Sequence, residues 1–433
     1  MTQGGGEDGL KQRIRFRREQ LGRRLRAGWE QFWFRAFKTR NAAVLFALGA
    51  FAGFGDFIGP FTDHLFQGPI WSVLGWMFKG VAFTLAVIGL IGLARALIRR
   101  LRPAADDYEL RPARPVASVS GLEGSHDVIQ PVTGANGPVA LNMGVDAQLD
   151  QGRHGVVLLK PPYSWPHELA QAARLAEQAM NPLVVNEQKL GLRTEIDSGF
   201  VQGDAPVRLQ KTTYFFDRTT NEVLRFDVYA KARNRRVWAG RDHFLCDDEL
   251  IRLEQASASN QLGGSTIMID QSGMAYLTRQ AATSAESSGL LAPTGSGSFD
   301  LARYQKLAVR PGLTFQEFCR REIERELFEE TDCVFSAAEL KTVLVGFGRY
   351  LYRGGKPEVF AVTALRRPVA DIRVSRQERL WTEGHEALPL DQLIAWDAGR
   401  LAQVSAPLAA NVVLLQRFMA SDQSAELKAF LAD

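Results

Sequence analysis

The chain has 433 residues, 52 Lys or Arg against 48 Asp or Glu, and a formal net charge of +4. That length predicts more than one folded domain. Its three cysteines (Cys246, Cys319, Cys333) form no CxxC pair and exclude a disulfide framework, which points to a reducing setting for the soluble part. The first 40 residues carry 11 Lys or Arg against 4 Asp or Glu, so +7 sits there and the remainder nets −3.

A basic block can mark nucleic-acid binding, but the apolar sequence after it favours a membrane surface. Residues 41–59, NAAVLFALGAFAGFGDFIG, and 80–98, GVAFTLAVIGLIGLARALI, are apolar runs of 19 residues each. Roughly 20 are needed to cross a bilayer core, so the two read as a membrane hairpin. Arg35, Lys38 and Arg40 precede the first run, and Arg99, Arg100 and Arg102 follow the second. Positive flanks stay cytoplasmic, which predicts a multi-pass protein of the inner (cytoplasmic) membrane with both termini inside. Residues 1–40 form the basic cytoplasmic segment, and 11–37 are expected to lie on the inner leaflet. Gly49-x-x-x-Gly53 and Gly55-x-x-x-Gly59 have the small-residue spacing that lets helices approach closely, so the hairpin is a candidate for homo-oligomer formation. Asp56 within the first run either serves a function or reaches the headgroups.

Residues 41–102 thus form the hairpin. The stretch 103–150 is rich in Pro, Gly, Ala and Ser and reads as a tether. Residues 151–262 are expected to be an α+β extension. They hold an apolar run at 156–159, a helix at 167–180, and strands at 207–216 and 223–230 joined through the polar turn 214–222. Arg233, Arg235, Arg236 and Arg241 then cluster, as phosphate contacts or as a solvated basic surface. From 263 onward the pattern predicts a hairpin (265–270 with 274–279), a small-residue loop Thr294-Gly295-Ser296-Gly297-Ser298, and an acidic helix. A second hairpin (342–352 with 358–365) and a closing helix at 406–419 complete it.

The acidic helix carries the chemistry. Thr314 and Glu317 have capping-box spacing. Phe315, Cys319, Ile323 and Leu327 recur every four residues and predict the buried stripe, so Cys319 and Cys333 are core residues rather than nucleophiles. Glu322 is expected on a solvated face. Glu326, Glu329 and Glu330 stand at i, i+3 and i+4, with Cβ atoms within about 6 Å. Such carboxylates either form an exposed acidic face or suit Mg²⁺ or Mn²⁺, whose preferred ligands are carboxylate oxygens. Arg325 can pair with Glu329 at i+4.

In register, Glu317, Arg325, Glu326, Leu327, Glu329, Glu330 and Cys333 match G-x5-E-x7-R-E-U-x-E-E-x-G-U, where U is apolar. The chain therefore resembles the Nudix hydrolase superfamily over about 263–433. Pro311 and Asp332 stand where the two glycines belong, and Gly312 comes one step late. The resemblance implies an α/β fold with an α/β/α sandwich. It also implies hydrolysis of a nucleoside diphosphate-linked substrate, with Mg²⁺ or Mn²⁺ on Glu326, Glu329 and Glu330 and one of these as base. In such a site Arg325 orients the helix, Gly295–Ser298 approach the phosphates, and a later acid (Glu378, Glu383 or Glu386) assists. Two spans followed by this domain are also similar to membrane effectors of bacterial cyclic-oligonucleotide anti-phage systems. That likeness implies a nucleotide receptor rather than an enzyme.

Overall fold

The computed structural model describes residues 107–146, 148–179, 186–282, 287–309, 311–331, 335–336, 338–369, 372, 374 and 381–432, together with 87 and 90. The two apolar runs, with Gly49, Gly53, Gly55, Gly59 and Asp56, lie outside the described residues, apart from Val87 and Leu90. Among the described residues no helix is long and apolar enough to cross a membrane. Tyr108–Glu177 and Asn186–Asp433 pack as one compact unit.

The stretch 103–150 is no simple tether, because strands begin at its sixth residue. They are β1 (Tyr108–Pro112), β2 (Gly121–Leu122), β3 (Ile129–Gly134) and β4 (Gly137–Asn142). Gly137, at φ 137°, makes the tight β3–β4 turn that a Cβ would obstruct. Loop-like composition hid the strands, since Pro and Gly stand at their ends (Pro112, Gly121, Gly134, Gly137) and Pro131 and Pro138 within them.

Next come β5 (Val156–Leu159), helix α1 (Ala170–Ala179), β6 (Gln188–Leu192) and β7 (Val207–Thr213). The expected polar turn at 214–222 is instead helix α2 (Tyr214–Thr219) and a short 3-10 segment, Glu222–Arg225. Thr213 caps α2 by accepting the Phe216 N–H at 3.4 Å, and this stops β7 just before the aromatic run Tyr214–Phe216. β8 (Phe226–Ala230) then leaves for another sheet, β1-β8-β9, completed by β9 (Arg235–Ala239). β7 pairs with β5 and β6, so no 207–230 hairpin forms. Short strands β10 (Leu245–Cys246) and β11 (Glu249–Leu250) join β2.

Among the described residues the main sheet has nine strands. β12 (Gly263–Asp270) and β13 (Met274–Gln280) form the expected hairpin through a left-handed Gly273. β14 (Leu291–Pro293) and β15 (Gly295–Ser298) follow. Helix α3 (Leu301–Ala308) and helix α4 (Phe315–Thr331) come next. β16 (Leu340–Tyr350), β17 (Lys356–Leu365) and β18 (Thr382–Pro389) complete the sheet, and α5 (Ala406–Ala420) and α6 (Ala425–Ala432) close the chain. Strand order is β14-β13-β12-β17-β16-β4-β3, with β15 beside β12 and β18 beside β13.

Helices cover both faces. On central β17 every residue is buried, as expected of a strand packed on two sides. Its odd residues, Val359 and Ala361, join the α4 core with Phe315, Phe318, Cys319 and Ile323. Its even residues, Phe360, Val362 and Ala364, join the α5 core with Leu408, Val412 and Leu415. Period-2 alternation thus sends one strand into two cores. The result is a mixed α/β unit with several sheets.

Candidate functional site

Helix α4 starts where Thr314 accepts the Glu317 N–H at 3.2 Å. That is half of a capping box; among the described residues Glu317 returns no bond to Thr314. Phe315, Cys319, Ile323 and Leu327 are fully buried, as the four-residue spacing predicts. A parallel ridge runs beside them through Phe318, Glu322, Glu326 and Glu330. Glu322 is fully buried rather than solvated, and burial raises its pKa against the pull of Arg325. The ridge was legible, because Glu322 stands four residues after Phe318 and four before Glu326. Its burial was not, because only packing decides which flank of a stripe meets another element.

Arg325 is the hub. Its guanidinium donates to Glu326 Oε1 at 2.5 Å, Glu329 Oε2 at 2.8 Å and Glu322 Oε2 at 3.3 Å, and lies 3.5 Å from Asp300 Oδ2. Asp300 precedes α3 and had no sequence signal. Its other oxygen meets Lys189 Nζ at 2.5 Å, and Lys189 also meets Glu187 at 2.8 Å. Lys189 arrives on β6, which docks against this segment through the Leu190 N–H to Phe299 O bond of 3.0 Å. The extension therefore contributes to the cluster directly. Its nearby anions push the Lys189 pKa up despite burial. Burial drives the Glu326 carboxyl up to about 7, against the opposing pull of Arg325 and Lys189.

Gly295–Ser298 form a strand, not a loop. They pair antiparallel with β12, Gly263 opposite Ser298 through Thr266 opposite Gly295. Their small size serves the approach of α4. A Cβ on Gly297 would lie 2.2 Å from the Glu326 carboxyl carbon, and one on Gly295 would lie 2.8 Å from the Leu327 Cα. The Ser296 N–H, facing the helix, donates to Glu330 Oε1 at 3.0 Å. The backbone that was expected to approach phosphate approaches a carboxylate.

Glu326, Glu329 and Glu330 accordingly share one end of α4 without converging. Among the described residues no three His, Cys, Asp or Glu side chains are arranged to hold a metal ion. As they stand, the acids do not fit Mg²⁺ or Mn²⁺, because Arg325 holds two of them and Ser296 the third. Asp332, Cys333 and Glu378 lie outside the described residues. Glu383 is exposed on β18, and Glu386 pairs with Arg279 at 2.5 Å. His385 between them turns inward, with Nδ1 3.2 Å from Thr278 Oγ1 and its ring reaching the Glu330 backbone. Burial lowers its pKa. Strand alternation carries the signal for His385, since its neighbours at 384 and 386 must face the other way.

No family model and no curated protein matches the chain. Solved structures do. DR0079 from Deinococcus radiodurans is 16% identical, over 35% of this chain and 81% of that one, with a TM-score of 0.25. MutT protein from Methanosarcina mazei Go1 is 14% identical, over 37% and 96%, with a TM-score of 0.23. Tm1382, classed with the Nudix hydrolases, is 14% identical over 36% and 72%, with a TM-score of 0.25. Likenesses at this level do not assign the chain to a family.

Proposed function

We propose that this chain is a membrane-anchored, Nudix-type hydrolase acting on a nucleoside diphosphate-linked substrate. One observation carries the reading. Glu317, Arg325, Glu326, Leu327, Glu329 and Glu330 fall in the Nudix register on a single helix, and that helix presents its acids beside a glycine-lined strand. In the reaction a water oxygen bonds to one phosphorus of the diphosphate as that atom's bond to the bridging oxygen breaks, the bridging oxygen leaves on the second phosphate, and one carboxylate takes the water's proton. Mg²⁺ or Mn²⁺ could be held by Glu326, Glu329 and Glu330 only if Arg325 released the first two and the Ser296 N–H the third. The test is the full-length chain with Mg²⁺ or Mn²⁺ and a panel of nucleoside diphosphate derivatives. Product release that Glu329→Gln lowers at least about 100-fold supports the reading. No product from any substrate, or an unchanged rate in the variant, sinks it.

A second reading is favoured by the engaged acids. A nucleotide-sensing receptor of an anti-phage system needs a ligand site but no metal and no turnover, and its hairpin would disturb the membrane. It predicts nucleotide-dependent oligomerisation and vesicle leakage that Gly53→Leu abolishes; leakage indifferent to that substitution counts against it.

A further inference from the structure

We propose that the turn Lys231–Arg236 is a docking surface for a layer of anionic lipid headgroups. The proposal lies outside the α4 site and rests on reading 41–59 and 80–98 as membrane spans. The segment Lys-Ala-Arg-Asn-Arg-Arg places four cations in six residues without an acid. All six residues are exposed. The shape is fixed by the chain itself: a 3-10 turn Lys231–Arg233 is closed by Asn234 in a left-handed conformation, φ 45°. Arg111 of β1 pins it by donating to Asn234 Oδ1 at 2.7 Å, while stacking 4.4 Å over the Tyr229 ring.

Arg236 pairs with Asp227 at 3.3 Å, and Arg111 pairs with Glu109. Among the described residues Lys231, Arg233 and Arg235 meet no carboxylate. Three like charges crowded on a rigid turn repel one another and do nothing for the fold. A polyanionic surface relieves that repulsion, and each cation near an anionic leaflet adds to the attraction. Val237, 39% exposed, and partly buried Trp238 follow on β9 and give the patch an apolar edge.

Position selects lipid over other polyanions. Tyr108, the first strand residue, pairs with Ala230, and Ala230 pairs with Arg235. The turn therefore stands at the edge where the chain enters this unit. Ten residue steps separate Ile98, the end of the second apolar run, from Tyr108, a reach of about 35 Å at full extension. Arg99, Arg100 and Arg102 lie within that stretch, and so do Asp106 and Asp107. Asp107 forms no ion pair with the turn among the described residues.

The experiment uses the full-length chain in phosphatidylcholine vesicles and in vesicles of equal phosphatidylcholine and phosphatidylglycerol, with amide exchange followed at 229–237 and in α4. The proposal expects exchange at 229–237 to slow several-fold in the anionic vesicles. High salt, or Lys231→Gln/Arg233→Gln/Arg235→Gln together, abolishes the slowing, while α4 exchanges as before and so reports an intact fold. Equal exchange in the two lipids overturns it, as does protection by added duplex DNA and not by lipid. If an alkaline wash strips the chain from phosphatidylcholine vesicles, the spans are refuted. Co-sedimentation with anionic vesicles at low salt then decides the turn. Wild type sedimenting and the triple variant staying in solution supports the proposal, and equal behaviour overturns it.

Discussion

Two buried charge clusters in this molecule differ in how they are balanced. Around Arg349, each cation has acids of its own. Arg349 meets Glu195 at 3.1 Å, Arg252 meets Asp197 at 2.9 Å and Glu254 at 2.8 Å, and Arg353 meets Asp217 at 2.5 Å. The Arg349 and Arg353 pairs tie the extension to the β16–β17 region, the Arg252 pairs brace the extension itself, and backbone groups such as the Leu253 N–H and Gly355 O satisfy much of what remains. Around Arg325, Glu322, Glu326, Glu329 and Asp300 crowd onto one guanidinium, with Lys189 also at Asp300 and Arg303 3.6 Å from Glu322. A network in which each cation has its own acids holds elements in place. An acid-heavy one retains appetite for a proton or a cation, which is what a reactive site needs.

Removing a hub from each cluster breaks the comparison most severely. Arg349→Met is expected to cost about 3–5 kcal/mol in urea unfolding, since Glu195 is left buried and unpaired. Arg325→Met strands its acids in the same way, with a cost near the lower end, about 3 kcal/mol. The two then diverge. Adding Mn²⁺ is expected to restore stability to Arg325→Met and do little for Arg349→Met, whereas lowering the pH, which also neutralises the stranded Glu195, is expected to relieve both. If Mn²⁺ stabilises neither, the acid-heavy cluster has no special cation affinity.

A smaller effect concerns Glu326 alone. Its folded-state pKa of about 7 lies above its ordinary value of 4.5. Between those values the folded chain binds more protons than the unfolded one, so this group's contribution to stability falls as pH rises from about 4.5 to 7. Glu326→Gln removes that slope. Relative to wild type, the variant is expected to gain about 2 kcal/mol between pH 5 and pH 8, read from unfolding midpoints. A difference independent of pH would show that Arg325 and Lys189 fully neutralise the carboxylate. The smallest effect is at the cap, where Thr314→Ala is expected to cost about 1 kcal/mol by thermal unfolding and leave the acid cluster intact.

Legibility in the sequence followed the range of the forces involved. The stripe Phe315, Cys319, Ile323, Leu327, the β12–β13 and β16–β17 hairpins and α5 were all readable, because each is set by periodicity or turn chemistry within a few residues. The strands at 108–142 were not, since β1, β2 and β4 find partners far along the chain and the turn-forming residues of the β3–β4 hairpin resemble a linker. The same holds for Gly295–Ser298, where small residues signify either a loop or a tight packing seam. Only the presence of α4 makes them a seam.

Chain order alone determined that five charged residues share one helix at Nudix spacing, because helical geometry converts sequence spacing into spatial proximity without outside help. Tertiary structure decided what those residues touch. It brought Lys189 and Asp300 to the cluster from 136 and 25 residues before Arg325, buried Glu322, and aimed the Ser296 N–H at Glu330. Whether a carboxylate is open to a cation depends on which internal donors reach it first, and that competition is fought between segments the sequence keeps apart.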